Sequence, residues 1–483
     1  MKELARLGVA RAIEEGAGYA DIRIVRHRQE SIEVKNGHVE AVSDSESEGF
    51  GIRVIAHGSW GFAASSKLSL EELSRVAKLA VRIAKASSEA GRQRVSLAPS
   101  SPVQGSYCTP IKRSPFEVPL REKTALLMEA TRAMLAVEGV KVAEGAMEFT
   151  QEDKLFASSE GSLIEQRIVH AGGGIAATAV RGDEVQKRSF PSSFGGDFRA
   201  AGYEHIEGLQ LTENAHSVAQ EAVALLDAPP LPAGTRDLVL GSAQLALQVH
   251  ESCGHPIELD RVLGTEISLA GGSFLTQDKL GGFRYGSEHV NITADACIPG
   301  GLGTFGWDDE GVAAVRTDIV KNGIFSGYLT SRETAAQTNQ AGSNGTMRAE
   351  SWNRIPLIRM TNINLEPGDW DLDKLLRDSE NGIFMETTKS WSIDDQRLNF
   401  HFGTEAAYEI SGGKLGKLYK NPTYTGITPE FWASCDAVCA KSHWHVWGVP
   451  NCGKGEPMQT MHVGHGTSPA RFCKVKVGAA NGD

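Results

Sequence analysis

Two proline-rich breaks set the limits on how this chain can fold. Ala98-Pro99-Ser100-Ser101-Pro102 and Ala228-Pro229-Pro230-Leu231-Pro232-Ala233-Gly234 cannot continue a helix or run through the middle of a sheet, because proline lacks the amide hydrogen that both require. They divide the 483 residues into three segments, 1–98, 99–230 and 231–483, each long enough to bury its own core.

Each segment has its own pattern. In the first, ADIRIV and SIEVKNGHVEAV alternate with period two, and Asn36-Gly37 sits where a two-residue turn sets Val34 opposite Val39. Ser69-Leu70-Glu71-Glu72 has the form of a capping box. Leu73, Val76, Ala77, Ala80, Val81 and Ala84 then form one helical stripe. The central segment repeats the theme, with helices predicted from about Pro119 to Val137 and from about Gly202 to Leu226 around strand-like pieces such as SLIEQRIVHAGGGIAATAV. Strands and glycine turns dominate the last segment, apart from a helix near Ser242 to His255 and a short one near Leu372 to Arg377. The fold class expected is α+β: N-terminal α/β domains with antiparallel sheets covered by helices, then a β-rich C-terminal catalytic domain.

Charge and cysteine usage narrow the setting. A formal net charge of -11 repels a phosphate backbone, which argues against nucleic acid as a partner. Lys2, Arg6, Arg11, Glu14 and Glu15 interrupt any signal-peptide core at the start, and no stretch is apolar enough to span a membrane. Seven cysteines, an odd number without framework spacing, fit reduced thiols and a cytoplasmic location.

The chemistry concentrates in Gln248-Val249-His250-Glu251-Ser252-Cys253-Gly254-His255-Pro256. In the zinc motif HExxH the imidazoles are four residues apart, about 40° around a helix, and both reach one ion. Here they are five apart, about 140° on an ideal helix. A single π-turn, favoured by Gly254 and Pro256, brings them back to one face; a helix ending at His255 is the alternative. A catalytic zinc needs a third protein ligand and one open position. Glu258, Cys452, His443, His445, His462 and His465 are the candidates. Cys452 stands among turn-formers that leave a thiolate exposed, where Lys454 lowers its pKa. Cys253 points away from the ion and packs.

With HESCGHPIELD and NCGKGEP both in place, the chain resembles the TldD/PmbA family of metalloproteases, and more closely its zinc-bearing TldD type. YADIRIV, GFGIRVIAHGSWGFAASSKLS, GTFGWDDEGV, GTMRAESWNRIPLIRMTN and NCGKGEPMQTMHVGHG extend the resemblance over nearly the whole chain. It implies Zn²⁺ held by His250, His255 and Cys452, with Glu251 as general base for a zinc-bound water attacking peptide bonds. That agrees with the chemistry of the residues themselves. It also implies unfolded or flexible peptides bound as an added β-strand in a closed chamber. The chain would work as a homodimer or with a related metal-free PmbA-like subunit. A non-catalytic peptide-binding or scaffold subunit is the rival reading; another is a structural zinc closed by His465. Pro256 and the histidines of HVGHG depart from the family pattern.

Other features carry less. Asp308-Asp309-Glu310 reads as a solvated acidic turn. Gly301-Leu302-Gly303-Thr304-Phe305-Gly306 matches a dinucleotide fingerprint but lacks the strand before it and the helix after it, so a flexible loop near the site is expected. Arg348 and Arg359 suit substrate carbonyls, a terminal carboxylate or an exposed surface pair. Trp391, Trp432, Trp444 and Trp447 suit core or cleft wall.

Overall fold

A computed structural model describes residues 1–90, 94–269 and 271–480. The first two segments share one eight-stranded sheet. Its strands are β1 (Tyr19–Lys35), β2 (His38–Ala56), β3 (Ser59–Ser65), β4 (Gln104–Cys108), β5 (Val140–Ser158), β6 (Leu163–Arg181), β7 (Glu184–Phe190) and β8 (Asp197–Arg199). The order β3-β2-β1-β5-β6-β4 puts β1 beside both β2 and β5, so strands from either side of the first proline break are hydrogen-bonded neighbours. Asn36 and Gly37, both at positive φ, make the turn, and Val34 faces Val39 in register.

The two faces of this sheet differ. Ile22, Ile24, Ile32 and Val34 point to one side, where helices α1 (Lys2–Glu14), α2 (Leu70–Ala90) and α3 (Leu120–Leu135) pack with the paired helices α4 (Glu204–Leu209) and α5 (Leu211–Asp227). The stripe Leu73 to Ala84 is buried as its spacing predicts, and Ser69 Oγ accepts the Glu72 amide at 3.2 Å as the N-cap. The single helix expected from Gly202 is broken, because Gln210 takes a left-handed backbone with φ 52°, which interrupts the i to i+4 ladder. On the opposite face, alternation presents His27, Gln29, Ser31 and Glu33 of β1 beside Glu152, Thr150, Glu148 and Ala146 of β5. This polar face looks toward the third segment.

The third segment begins with β9 (Gly234–Leu240) and α6 (Ser242–Val249). A four-stranded sheet holds β10 (Ile292–Asp295), β11 (Arg316–Lys321), β12 (Ile324–Phe325) and β15 (Ile363–Leu365), and β13 (Met347–Arg348) pairs with β14 (Leu357–Ile358). A seven-stranded sheet joins β9 to β16 (Ile383–Ile393), β17 (Asn399–Ser411), β18 (Lys414–Lys420), β19 (Pro422–Ile427), β20 (Cys435–Val438) and β23 (Ala470–Ala479). A separate hairpin is made by β21 (His445–Lys454) and β22 (Gln459–Thr467). Among the described residues no helix is long and apolar enough to cross a membrane.

Asp308, Asp309 and Glu310 are not a solvated turn. All three are at most 3% exposed: Asp308 accepts the backbone amides of Glu310, Val312 and Met347, and cations from the first sheet meet Asp309 and Glu310. Lys154 is 2.8 Å and Arg23 3.5 Å from Asp309, and Arg53 bridges Asp21 at 2.8 Å and Glu310 at 3.4 Å. The acidic run is thus an ionic joint between the first sheet and the third segment. The glycine-rich run before it is packed, not loose: Gly303 N donates to Asn362 Oδ1 and Gly306 N to Gln166 Oε1, both at 2.9 Å.

Candidate active site

The histidine-bearing helix is anchored by apolar residues at every fourth position. Leu245, Val249, Cys253 and Ile257 are fully buried in the largest core, and with them go the direction and depth of the helix. Gln244 and Gln248, also buried, bond the Tyr424 hydroxyl at 2.9 and 3.0 Å.

At His250 the helix changes period. Residues His250–Gly254 form a π-turn, closed by the His255 amide donating to the His250 carbonyl at 3.2 Å. Pro256 offers no amide to the Ser252 carbonyl one turn back. Tyr285 fills that gap, its hydroxyl donating to Ser252 O at 2.9 Å. Gly254 contributes by size and not by left-handed backbone: a Cβ there would lie 2.3 Å from Met360 Sδ.

The π-turn puts His250 and His255 on one side, with ring centroids 4.8 Å apart and nearly perpendicular. The β21–β22 hairpin brings Cys452 to them, its Sγ 3.9 Å from His255 Nε2. One donor atom from each of the three lies within 4.8 Å of the others. Around tetrahedral zinc such atoms stand roughly 3.3–3.6 Å apart, so a contraction on the order of 1 Å completes the fit. Among the described residues this is the one cluster of its kind.

Hydrogen bonds decide which ring nitrogens are available. His465 Nδ1 lies 3.1 Å from the Ile363 carbonyl, which can only accept, so His465 donates from Nδ1 and carries a lone pair on Nε2. That Nε2 is 2.8 Å from His250 Nδ1, which therefore carries the hydrogen, leaving a lone pair on His250 Nε2. His255 Nδ1 likewise donates to Glu258 Oε2 at 3.1 Å, freeing its Nε2. Both rings are oriented as metal-ligating imidazoles usually are, by a partner on the far nitrogen.

Burial sets the charges. It holds His250 and His255 below the ordinary imidazole pKa, with Glu251 and Cys452 respectively only partly opposing it, so both are neutral at physiological pH, the state in which an imidazole can ligate a metal. Burial opposes ionisation of Cys452 too, yet His255 and Arg359 outweigh it and keep the thiol below its usual range. With His255 neutral, the lasting charge beside that thiol is Arg359, whose guanidinium donates to the Cys452 carbonyl and, at 3.0 Å, to that of Gln459. Cys253 is pushed up to about 12 by burial and stays a packed thiol.

Several expectations change here. Cys452 is 4% exposed, because the hairpin folds its turn-rich flanks against the core. Lys454 does not serve it: its ammonium is held by Asp260 at 2.7 Å and Glu258 at 3.4 Å. Arg348 and Arg359 are buried and not a surface pair, because the β13–β14 ribbon carries them under the hairpin. Glu258 and His465 back the two histidines instead of joining the donor cluster, and His443, His445 and His462 stand apart from it. Of the tryptophans, Trp432 is core and donates to Ser252 Oγ at 2.9 Å, whereas Trp391 is 44% exposed.

Glu251 sits within the π-turn, 6% exposed. Arg397 Nη1 donates to its Oε2 at 2.5 Å. Arg397 belongs to the turn between β16 and β17 and has φ 62°; no spacing or motif marks it in the sequence, and only the fold brings it to the carboxylate.

Comparison with known proteins places this arrangement. Residues 233–478 match the PmbA/TldA metallopeptidase C-terminal domain, 113–227 its central domain and 20–84 its domain 1. A metalloprotease of Methanocaldococcus jannaschii is 31% identical over 94% of this chain and 95% of its own. The metalloprotease TldD homolog of Haemophilus influenzae is 26% identical over 96% and 93%, and the zinc metalloprotease TldD homolog of Saccharolobus solfataricus 22% over 97% and 98%. TldE from Thermococcus kodakarensis shares the fold, with a TM-score of 0.73 at 18% identity and 99% of each chain covered. On a match that spans all three segments, the chain belongs to the PmbA/TldD family of metallopeptidases.

Proposed function

We propose that the chain is a zinc-dependent peptidase that hydrolyses peptide bonds of unfolded or flexible chains, with His250, His255 and Cys452 holding Zn²⁺. The observation that carries this reading is the convergence of three buried donor atoms within 4.8 Å beside the carboxylate of Glu251. The donor set suits the ion: two neutral imidazoles and one thiolate leave a bound Zn²⁺ net positive and one position open. When bound, zinc supplies Lewis acidity toward a carbonyl and makes water a nucleophile near neutral pH.

The protein's own part is proton handling and orientation. Glu251 takes a proton from water on its carboxylate and returns it to the departing amine. Arg397 fixes the direction of that carboxylate through its bond to Oε2. The outer partners, His465 and Glu258, keep the two imidazoles facing inward. The contact of His465 with His250 Nδ1 supports a role behind that ring over one as a fourth ligand.

A related metal-free subunit is the partner we infer, a homodimer being the other possibility; the likeness to a TldE fold supports a paired assembly. Seven unpaired cysteines fit a reducing, cytoplasmic setting.

The test is metal content per chain on protein purified without added zinc, together with cleavage of an unfolded peptide with and without chelator. About one zinc per chain and chelator-sensitive cleavage are expected. Zinc without cleavage, even with a paralogous subunit added, would favour the scaffold reading, and absence of zinc would overturn the enzyme.

A further inference from the structure

The polar face of the first sheet does not close directly on the third segment. Between them lies a cavity of about 730 Å³, with β1, β5 and β6 as its floor and the β21–β22 hairpin as part of its roof. Along β22, His465 reaches the donor cluster, while His462, three residues earlier and so on the other face, lines the cavity. The cavity therefore backs onto the metal site through the hairpin.

One cation in its wall lacks a counter-ion. Arg348 is 8% exposed, donates to the His462 carbonyl, and lies 5.5 Å from the Phe305 ring centroid. Among the described residues no carboxylate comes within ion-pairing distance of it. The acidic groups that act on it through space are Asp309, Glu152 and the Cys452 thiol, and the two carboxylates already have Lys154, at 2.8 and 3.0 Å, and Arg23, at 3.5 Å from Asp309. Of the other acids lining the cavity, Glu350 leans on Arg354 at 3.8 Å, and Glu33 and Glu148 lie further along the floor, in the Ala146 and Ser31 rows. Burial, and after it Arg359, pulls Arg348 down to about 10, the response of a guanidinium deprived of both water and partner, though still charged at neutral pH.

A second polar group in the same wall is unsatisfied. His170 and His462 meet through their Nδ1 atoms at 2.7 Å, with Thr150 Oγ1 3.3 Å from the former. His170 Nε2 is buried with no hydrogen-bond partner among the described residues, a costly state for a polar atom. Phe198, Phe305 and Trp307 provide apolar wall beside these groups.

We propose that this cavity binds the carboxylate of an apolar acid, with Arg348 as its counter-ion and His170 Nε2–H as a second donor. Such a ligand selects the tautomer in which His462 Nδ1 donates to His170 Nδ1, so that His170 keeps its hydrogen on Nε2. A free small acid and the terminus of a peptide present the same chemistry. The inference stands apart from the peptidase reading, because binding is read without turnover.

The experiment is calorimetric titration of the purified full chain with 3-phenylpropanoate and with 3-phenylpropanamide. The acid should bind about 10- to 100-fold more tightly than the amide, as expected for a charge-assisted bond. Arg348→Gln should abolish that preference, His170→Gln should reduce it several-fold, and His250→Ala should leave it intact. N-acetyl-Ala-Phe, titrated into Glu251→Gln protein so that it is not cut, assigns the source: tighter binding than the small acid means a peptide terminus, weaker binding a free acid. Equal binding of acid and amide, a preference that survives Arg348→Gln, or one lost in His250→Ala because the carboxylate sits on the metal, would each overturn the proposal. Should Arg348→Gln not fold, an unchanged preference in His170→Gln would overturn it.

Discussion

His465 Nε2 lies 2.8 Å from His250 Nδ1, while the other nitrogen of His465 bonds a backbone carbonyl. The pair fixes where the hydrogen on His250 must be. His465→Phe removes the acceptor and lets His250 turn or change tautomer. Metal affinity should fall about 10- to 100-fold, measured by competition with a chromophoric chelator. An unchanged affinity would mean that other contacts hold the ring.

Glu251→Gln keeps the size of the side chain and the bond from Arg397 while removing the base. Zinc content should stay near the wild-type value, and peptide cleavage should drop by about 10²- to 10⁴-fold. Retained cleavage would assign the proton transfer to another group.

The two cysteines near the site should separate cleanly. Cys452→Ala should lose most of the metal. Cys253→Ser should keep it but lower stability by about 1–3 kcal/mol, the cost of putting a more polar hydroxyl into a fully buried site. Metal analysis and urea unfolding of both variants give the answer, and metal loss in Cys253→Ser would move the site.

Asp309→Ala leaves Arg23 buried without its carboxylate, and Lys154 with Glu152 alone, at the joint between the first sheet and the third segment. Breaking a buried pair from one side costs about 3–5 kcal/mol. A denaturant midpoint close to wild type would show that water or other acids replace it.

His170 and His462 should give the protein a sensitivity to mild acid. Burial holds His170 well below the ordinary imidazole pKa and His462 down to about 3. The unfolded chain, titrating near 6.5, therefore binds more protons in acid than the folded one. Stability from this source is flat above about pH 6.5 and falls as pH drops from there toward about 3. His462→Gln should make melting temperature less dependent on pH between those limits; an unaltered slope would assign the loss to other groups.

Local chemistry was legible in the sequence and long-range partnership was not. Asn36-Gly37 announces its hairpin, and the stripe from Leu73 to Ala84 its helix, because both are written in consecutive residues. The strain of the five-residue spacing was equally visible, and a π-turn is how the chain relieves it. Alternation, however, says which residues share a face and not which strand lies alongside, so the pairing of β1 with β5 across the first proline break could not be read. For the same reason Asp309 and Glu310 look like part of a wet turn until Arg23, Arg53 and Lys154 arrive from another sheet. Arg397 acquires its meaning only from where a turn between two strands happens to point.

The three donors of the site are also far apart in time. His250 and His255 leave the ribosome together, but Cys452 follows some two hundred residues later, a delay on the order of ten seconds at ordinary rates of synthesis. Throughout that interval the unfinished third segment resembles the material that such an enzyme is proposed to cut. A site whose third donor is encoded so late cannot assemble while its own polypeptide is still in that vulnerable form.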